Sequence, residues 1–334
     1  MIVAPALAAR IMGAGVGEEN AFWVSPVLST KGWTEGGNAG GQRTWLAPEA
    51  GPAAIFFSAD GATWNVPMAL DPGDYHQIPV ETGGRSYRMA LEVHTADGER
   101  YPIAITRSMR LEDGPIAPAS CAPGLRIRFW QELFNAGTRV IDRRVGLWSI
   151  IQLPCEEPGT VFFGLKADPD DASPALRPYF TSRLPEGVAE RTGKLAWLRA
   201  QCGVKLKVGL SAALSAGSIA FVRRARATRS DGRPYILTAI TFPVDPTAAY
   251  LDKPNHAGPE AALNGDAAQA YTDPGIGDLA FCEIEAHAPA PRLDPGESIG
   301  AELDILIAHL GADELDGFLA ENLAIGSIPR SAFL

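Results

Sequence analysis

Near the C-terminus the chain reads FCEIEAHAP, in which Glu283, Glu285 and His287 recur at every second position. Strand side chains alternate between faces, so these three share one face while Cys282, Ile284, Ala286 and Ala288 share the other. The second face is apolar and suits a core. The first gathers two carboxylates and an imidazole, groups that move one another's pKa toward neutrality and so suit general acid–base chemistry. The same alternation also describes the solvated outer face of an antiparallel sheet. The medium that this face meets decides between the two.

Two further segments carry comparable chemistry. In RIRFWQELFNAG (126–137), Arg126, Arg128, Trp130 and Glu132 alternate with Ile127, Phe129, Gln131 and Leu133. Arg, Trp and Glu together suit a carbohydrate site. Charged groups hold hydroxyls, and an indole stacks on the apolar face of a sugar ring while its N–H stays free to donate. An exposed face bearing a single surface Trp has the same pattern. In NAGGQRTWLAPE (38–49), Arg43 and Trp45 share a face, and Trp64 follows after a turn. These indoles fit a sugar cleft or a sandwich core equally well.

The other histidines, His76, His94, His256 and His309, lack HxH or HExxH spacing, so no metal site is expected. His94 shares a strand face with Glu92 and Arg88, and His256 lies in the long segment before the Glu-bearing strand. No P-loop or dinucleotide fingerprint occurs. Their absence argues against kinases and dehydrogenases.

The elements that must position these groups are mostly strands. Short apolar runs such as AIFFSADGATW and SYRMALEVHTADGERYPIAI fill 22–150, with Asp60-Gly61 and Asp97-Gly98 as hairpin turns. Strands resume as LKVGLSA, SIAFVRRA, YILTAITF, LAFCEIEAHA and AELDILIAHL. Residues 166–192 and 243–278 read as long Pro- and Gly-rich excursions of the kind that make lids. GADELDGFLAENL reads as a C-terminal helix with Leu315, Phe318, Leu319 and Leu323 on one side. The pattern predicts an all-β, mostly antiparallel sandwich with a short C-terminal helix, residues 1–334 forming a single domain.

Composition narrows the partners. The 334 residues carry a net charge of −10, the wrong sign for a nucleic-acid surface. Arg223, Arg224, Arg226, Arg229 and Arg233 flank a Ser230-Asp231-Gly232 turn and read as an exposed hairpin. Cysteines at 121, 155, 202 and 282 have no metal-finger spacing and fit dispersed reduced thiols in a cytoplasmic protein. The N-terminus lacks a basic leader, although a chain trimmed of its signal peptide reads the same. No stretch approaches the roughly 20 apolar residues of a membrane span. Oligomeric state is not legible.

Several segments together resemble the galactose-mutarotase-like (aldose 1-epimerase-related) superfamily, in an uncharacterised bacterial branch. They are GGQRTWLAPE (40–49), RIRFWQELFNAG, GLWSIIQLP (146–154), AQAYTDPG (268–275), FCEIEAHAP and LDPGESI (293–299), spread in order over most of the chain. The resemblance implies a β-supersandwich and an isomerase acting on a sugar or sugar derivative, with no metal or organic cofactor. In that superfamily a C-terminal strand supplies a Glu that takes the proton of the anomeric hydroxyl, while histidines protonate the ring oxygen. The Glu matches Glu285 or, one pleat away, Glu283, with Glu285 preferred from its distance to Pro289. Trp148 stands where a family histidine is expected, and the earlier histidine has no counterpart, which leaves His94, His256 and His287 for the acid. Arg43 or Arg126 is then expected to hold hydroxyls, and Trp45, Trp130 or Trp148 to stack on the ring. A non-catalytic carbohydrate-binding protein that kept the cleft is the alternative, and a glycan lyase or hydrolase the third reading.

Overall fold

The computed structural model describes residues 1–31, 38–58, 62–80, 83–112, 123–166, 175–201, 203–226, 232–253, 265–323, 328 and 332. Two large sheets stack, and every strand pairing among these residues is antiparallel. The first sheet has eight strands in the spatial order Ile2–Ala4, Arg10–Gly13, Gln42–Ala47, Gly146–Pro154, Phe281–His287, Asp266–Thr272, Leu206–Ser211 and Arg177–Pro178. The second has ten: Ala189–Thr192, Leu195–Ala200, Gly159–Leu165, Ser215–Arg224, Tyr235–Thr241, Ser298–Leu310, Gly124–Asn135, Arg100–Glu112, Arg85–His94 and His76–Ile78. Ile141–Asp142 and Arg292–Leu293 form a separate ribbon.

The core between the sheets follows from alternation. Leu46, Leu147, Ile151 and Ile284 enter it from the first sheet, and Ile105, Ile127, Phe129 and Ile305 from the second. Polar ties cross the same gap. Thr44 Oγ1 donates to Gln131 Oε1 at 2.9 Å, and the buried Arg107 guanidinium donates to the Gln42 side chain and the Ala8 carbonyl. Strand Ser298–Leu310 is apolar on both faces where it needs to be. Leu303, Ile305 and Ile307 join the inter-sheet core, while Leu306, Ala308 and Leu310 pack beneath the helix Ala312–Leu323. That helix buries Leu315, Phe318, Leu319 and Leu323, the stripe its periodicity predicts.

Several expectations change. The span 243–278, read as an excursion, contains the buried interior strand Asp266–Thr272. Its sequence, DAAQAYT, is rich in alanine, which favours strands weakly, and pairing on both sides outweighs that propensity. The span 166–192 holds edge strands of both sheets, Arg177–Pro178 and Ala189–Thr192. AIFFSADGATW yields only an isolated bridge between Phe57 and Trp64, and its Asp60-Gly61 turn lies outside the described residues. The Asp97-Gly98 turn does join two paired strands, with Gly98 at φ 86°. Arg223 is buried and paired with Glu19 at 2.6 Å rather than decorating an exposed hairpin. A short helix, Pro26–Lys31, was not expected, although Ser25 followed by Pro26 is a helix-start signal. Cys155 and Cys282 are free and buried, and Cys121 and Cys202 lie outside the described residues. No helix among the described residues is long and apolar enough to cross a membrane.

Candidate functional site

Alternation sends Cys282, Ile284 and Ala286 into the core and turns Glu283, Glu285 and His287 to the outer face of the first sheet. Register then assembles three rows across neighbouring strands. Lys207, Tyr271, Glu283 and Gln152 form one; Gln269, Glu285, Ile150 and Arg43 the next; His287, Trp148 and Trp45 the third. Loops cover this face, so it meets neither bulk water nor the core. A cleft of about 470 Å³ opens over it, floored by Arg43, Trp45, Trp148, Gln152, Lys207 and Glu283. Its walls include the rings of Trp64, Tyr179, Phe180 and Tyr271.

The two glutamates differ sharply. Glu283 reaches the cleft, and its Oε1 accepts from Arg43 Nη2 at 3.1 Å and Gln152 Nε2 at 2.7 Å. Burial pushes its carboxyl up, while Arg43 and the Gln152 hydrogen bond oppose that shift. Glu285 is 0% exposed and lies beneath the floor. Its Oε2 accepts from Trp148 Nε1 at 2.8 Å and sits 3.6 Å from Lys207 Nζ. Its Oε1 is buried without a hydrogen-bond partner. Burial lifts this carboxyl to about 8 against the pull of Lys207, with the charges of Glu283, Glu49 and Asp252 adding to the rise. At neutral pH Glu285 is therefore mostly protonated.

Lys207 anchors the charges. Glu49 accepts from its Nζ at 3.0 Å, and Asp252 lies 3.6 Å away. Burial disfavours the ammonium, but Glu285, Glu49 and Asp252 outweigh it and hold the lysine well above its ordinary value. The ammonium also stands 4.5 Å over the Trp148 ring, whose orientation the Glu285 hydrogen bond fixes. His287 stacks on Trp148 with centroids 5.2 Å apart. Burial, then the Lys207 charge, keeps His287 well below its usual value, and neither ring nitrogen has a hydrogen-bond partner. It is a neutral, buried imidazole. Burial also lowers the Arg43 guanidinium to about 10, so it stays charged at neutral pH, 3.8 Å over the Trp45 ring.

The structure gathers some of the sequence-derived residues and separates others. Arg43, Trp45, Trp148 and Glu283 meet in the cleft, with Glu285 and His287 directly beneath. Arg126 and Trp130 do not join them. Their strand belongs to the second sheet, and since its Gln131 face meets Thr44, the Arg126 and Trp130 face points away from the first sheet. There Arg126 lies 3.9 Å from Asp304, in a surface ion-pair network. His94 is an exposed residue of the second sheet, 2.7 Å from Glu92. His256 lies outside the described residues. Among the described residues no histidine lines the cleft.

Sequence reasoning missed Lys207, Gln152, Tyr179 and Tyr271. A signal for the first existed: in LKVGLSA, alternation sets Lys207 opposite the buried Leu206, Val208 and Leu210. Gln152 shares the Trp148 face of GLWSIIQLP for the same reason. Tyr179 and Tyr271 sat in spans read as loop.

Comparison with known proteins identifies the architecture. A protein from Synechocystis is 10% identical, with 92% of this chain and 91% of that one covered at a TM-score of 0.51. A candidate aldose 1-epimerase from Klebsiella pneumoniae is 10% identical, with coverages of 97% and 80% and a TM-score of 0.52. At such identity these likenesses speak for the fold, a galactose-mutarotase-like sandwich. No curated protein sequence matches the chain. Residues 1–316 match a family of unknown function, DUF6786. The match spans both sheets and every cleft-floor residue named above, and the chain therefore belongs to DUF6786, built on a galactose-mutarotase-like sandwich.

Proposed function

We propose that the chain is a carbohydrate-active protein and, within that class, an aldose 1-epimerase-like isomerase acting on a sugar or sugar derivative. Glu283 carries the reading. Its Oε1 is held by Arg43 and Gln152, while no hydrogen bond occupies its Oε2 among the described residues. Sugars present apolar C–H faces and polar edges, and this cleft offers aromatic rings for one and charged groups for the other. The fold shared with the Klebsiella protein points the same way.

Mutarotation needs a base to take the proton of the anomeric hydroxyl while the bond from C1 to the ring oxygen breaks and that oxygen gains a proton. Glu283 Oε2 would take the first proton. Burial makes this carboxylate a stronger base than an exposed one, and Arg43 favours the ionised form that the step requires. Lys207 would stabilise the charge growing on the ring oxygen, and a water molecule in the open cleft would deliver the proton that this oxygen gains and take it back on reclosure. The opened chain rotates about C1–C2 and recloses, returning both protons. Glu285 acts one layer down, orienting Trp148 and Lys207.

The test is anomer interconversion followed by NMR over a panel of aldoses. Glu283→Gln should lower kcat/KM by about 100- to 10,000-fold, the usual worth of one acid–base group, and Glu285→Gln by much less. Among the described residues no histidine lines the cleft, which favours a second reading, a non-catalytic carbohydrate-binding protein. No acceleration on any aldose, together with calorimetric binding, selects that reading.

A further inference from the structure

Two of the exposed large hydrophobic side chains, Trp64 at 46% and Phe180 at 44%, line this one cleft. They stand at opposite ends. Trp64 packs on Trp45 with ring centroids 6.4 Å apart, and Phe180 packs edge-on against Tyr271, also at 6.4 Å. The supporting strands, Gln42–Ala47 and Asp266–Thr272, are separated by Gly146–Pro154 and Phe281–His287. Three ladder steps of that kind span about 14 Å. Trp45 pairs with Trp148, whereas Tyr271 lies in the row of Gln152, four residues further along the same strand, or about 13 Å. The backbone positions of Trp45 and Tyr271, which carry the two anchors, thus lie on a diagonal on the order of 20 Å long.

A single pyranose ring is little wider than one ladder step and cannot reach both ends. Two or three linked rings can. Glu283 is rooted in the Tyr271 row, one strand from Tyr271, and its carboxylate reaches Arg43, whose guanidinium lies over Trp45, so the anomeric chemistry falls between Phe180 and Trp45. From there the floor runs over Trp148 and Trp45 to Trp64. We infer that the cleft takes an oligosaccharide of at least two rings, its reducing-end ring at Glu283 and Phe180 and its next ring or rings stacked toward Trp64. This rests on the carbohydrate reading above and narrows its substrate class.

Solvent-exposed rings are lost from a rim without unfolding the chain, so substitution at either end is informative. Calorimetry with glucose, galactose and mannose, and with their linked di- and trisaccharides, provides the affinity series, while NMR follows anomer exchange at the reducing end. The longer sugars should bind at least about tenfold more tightly than the monosaccharides, as a further aromatic stack implies. Trp64→Ala should erase most of that gain and leave monosaccharide affinity unchanged, whereas Phe180→Ala should weaken every ligand. Equal affinity for one, two and three rings overturns the inference while the isomerase or binding reading survives. So does a Trp64→Ala variant that weakens monosaccharides as much as trisaccharides. Failure of every saccharide to bind or to exchange overturns both.

Discussion

Glu285 and Glu283 share a strand face with only Ile284 between them, yet their surroundings give them different work. Glu283 meets a guanidinium, an amide and the cleft; Glu285 meets an indole N–H, an ammonium and packed protein. Burial lifts Glu285 to about 8, far above an exposed carboxyl. The folded chain therefore binds this proton more tightly than the unfolded chain does. The resulting stability is complete below the unfolded value and is lost as pH rises through about 8. Glu285→Gln mimics the protonated acid, so its Tm should fall less than that of the unaltered protein between about pH 6 and about pH 9. A parallel fall in both proteins would show that Glu285 does not hold the proton. Lys207→Met leaves Glu49 and Asp252 facing one another without a cation. Removing one partner from buried charges typically costs about 3–5 kcal/mol, which urea unfolding at neutral pH can measure. A loss below about 1 kcal/mol would place Lys207 among solvated surface lysines.

At the scale of elements, the site depends on strand alternation and the second sheet on its helix. FCEIEAHAP was legible as a strand with unlike faces because its apolar set is uninterrupted. LRIRFWQELF was equally legible as a strand, but its polar face lies on the far side of the sandwich. Period-two patterning assigns residues to faces; it cannot say which face of which sheet meets a cleft. The helix Ala312–Leu323 caps the second sheet away from the cleft. Phe318→Ala should therefore destabilise the chain by about 3–5 kcal/mol in chemical denaturation, the usual cost for a buried Phe, and leave sugar affinity at low denaturant unchanged. A change in affinity would mean that the two faces communicate.

At the scale of the whole molecule, Arg107 links the sheets. It is fully buried, rises from the second sheet and donates to Gln42, the residue beside Arg43 on the cleft-bearing strand. Burial holds it near 10, so it crosses the neutral range charged. Arg107→Met keeps the bulk and removes these bonds. It should cost about 2–4 kcal/mol in denaturation and weaken sugar binding through the register of Arg43, because the Gln42 oxygens lose their donor. Unaltered sugar affinity would show that the first sheet holds its register without this tie.

The sequence by itself determined the strand-rich architecture, the terminal helix and the unlike faces of FCEIEAHAP, because these follow from short-range periodicity. It also marked Arg43, Trp45 and Trp148, which lie on strands adjacent to one another. The tertiary structure alone decided which titratable groups meet. Lys207, Asp252 and Glu49 are remote from Glu285 in the chain, and only the strand order of the first sheet and the loop beside it bring them together. It also decided that Glu283 reaches the cleft while Glu285 and His287 stay beneath it, since depth under covering loops has no period along the chain. Alternation is a property of neighbouring residues; burial of a charge is a property of everything packed around it.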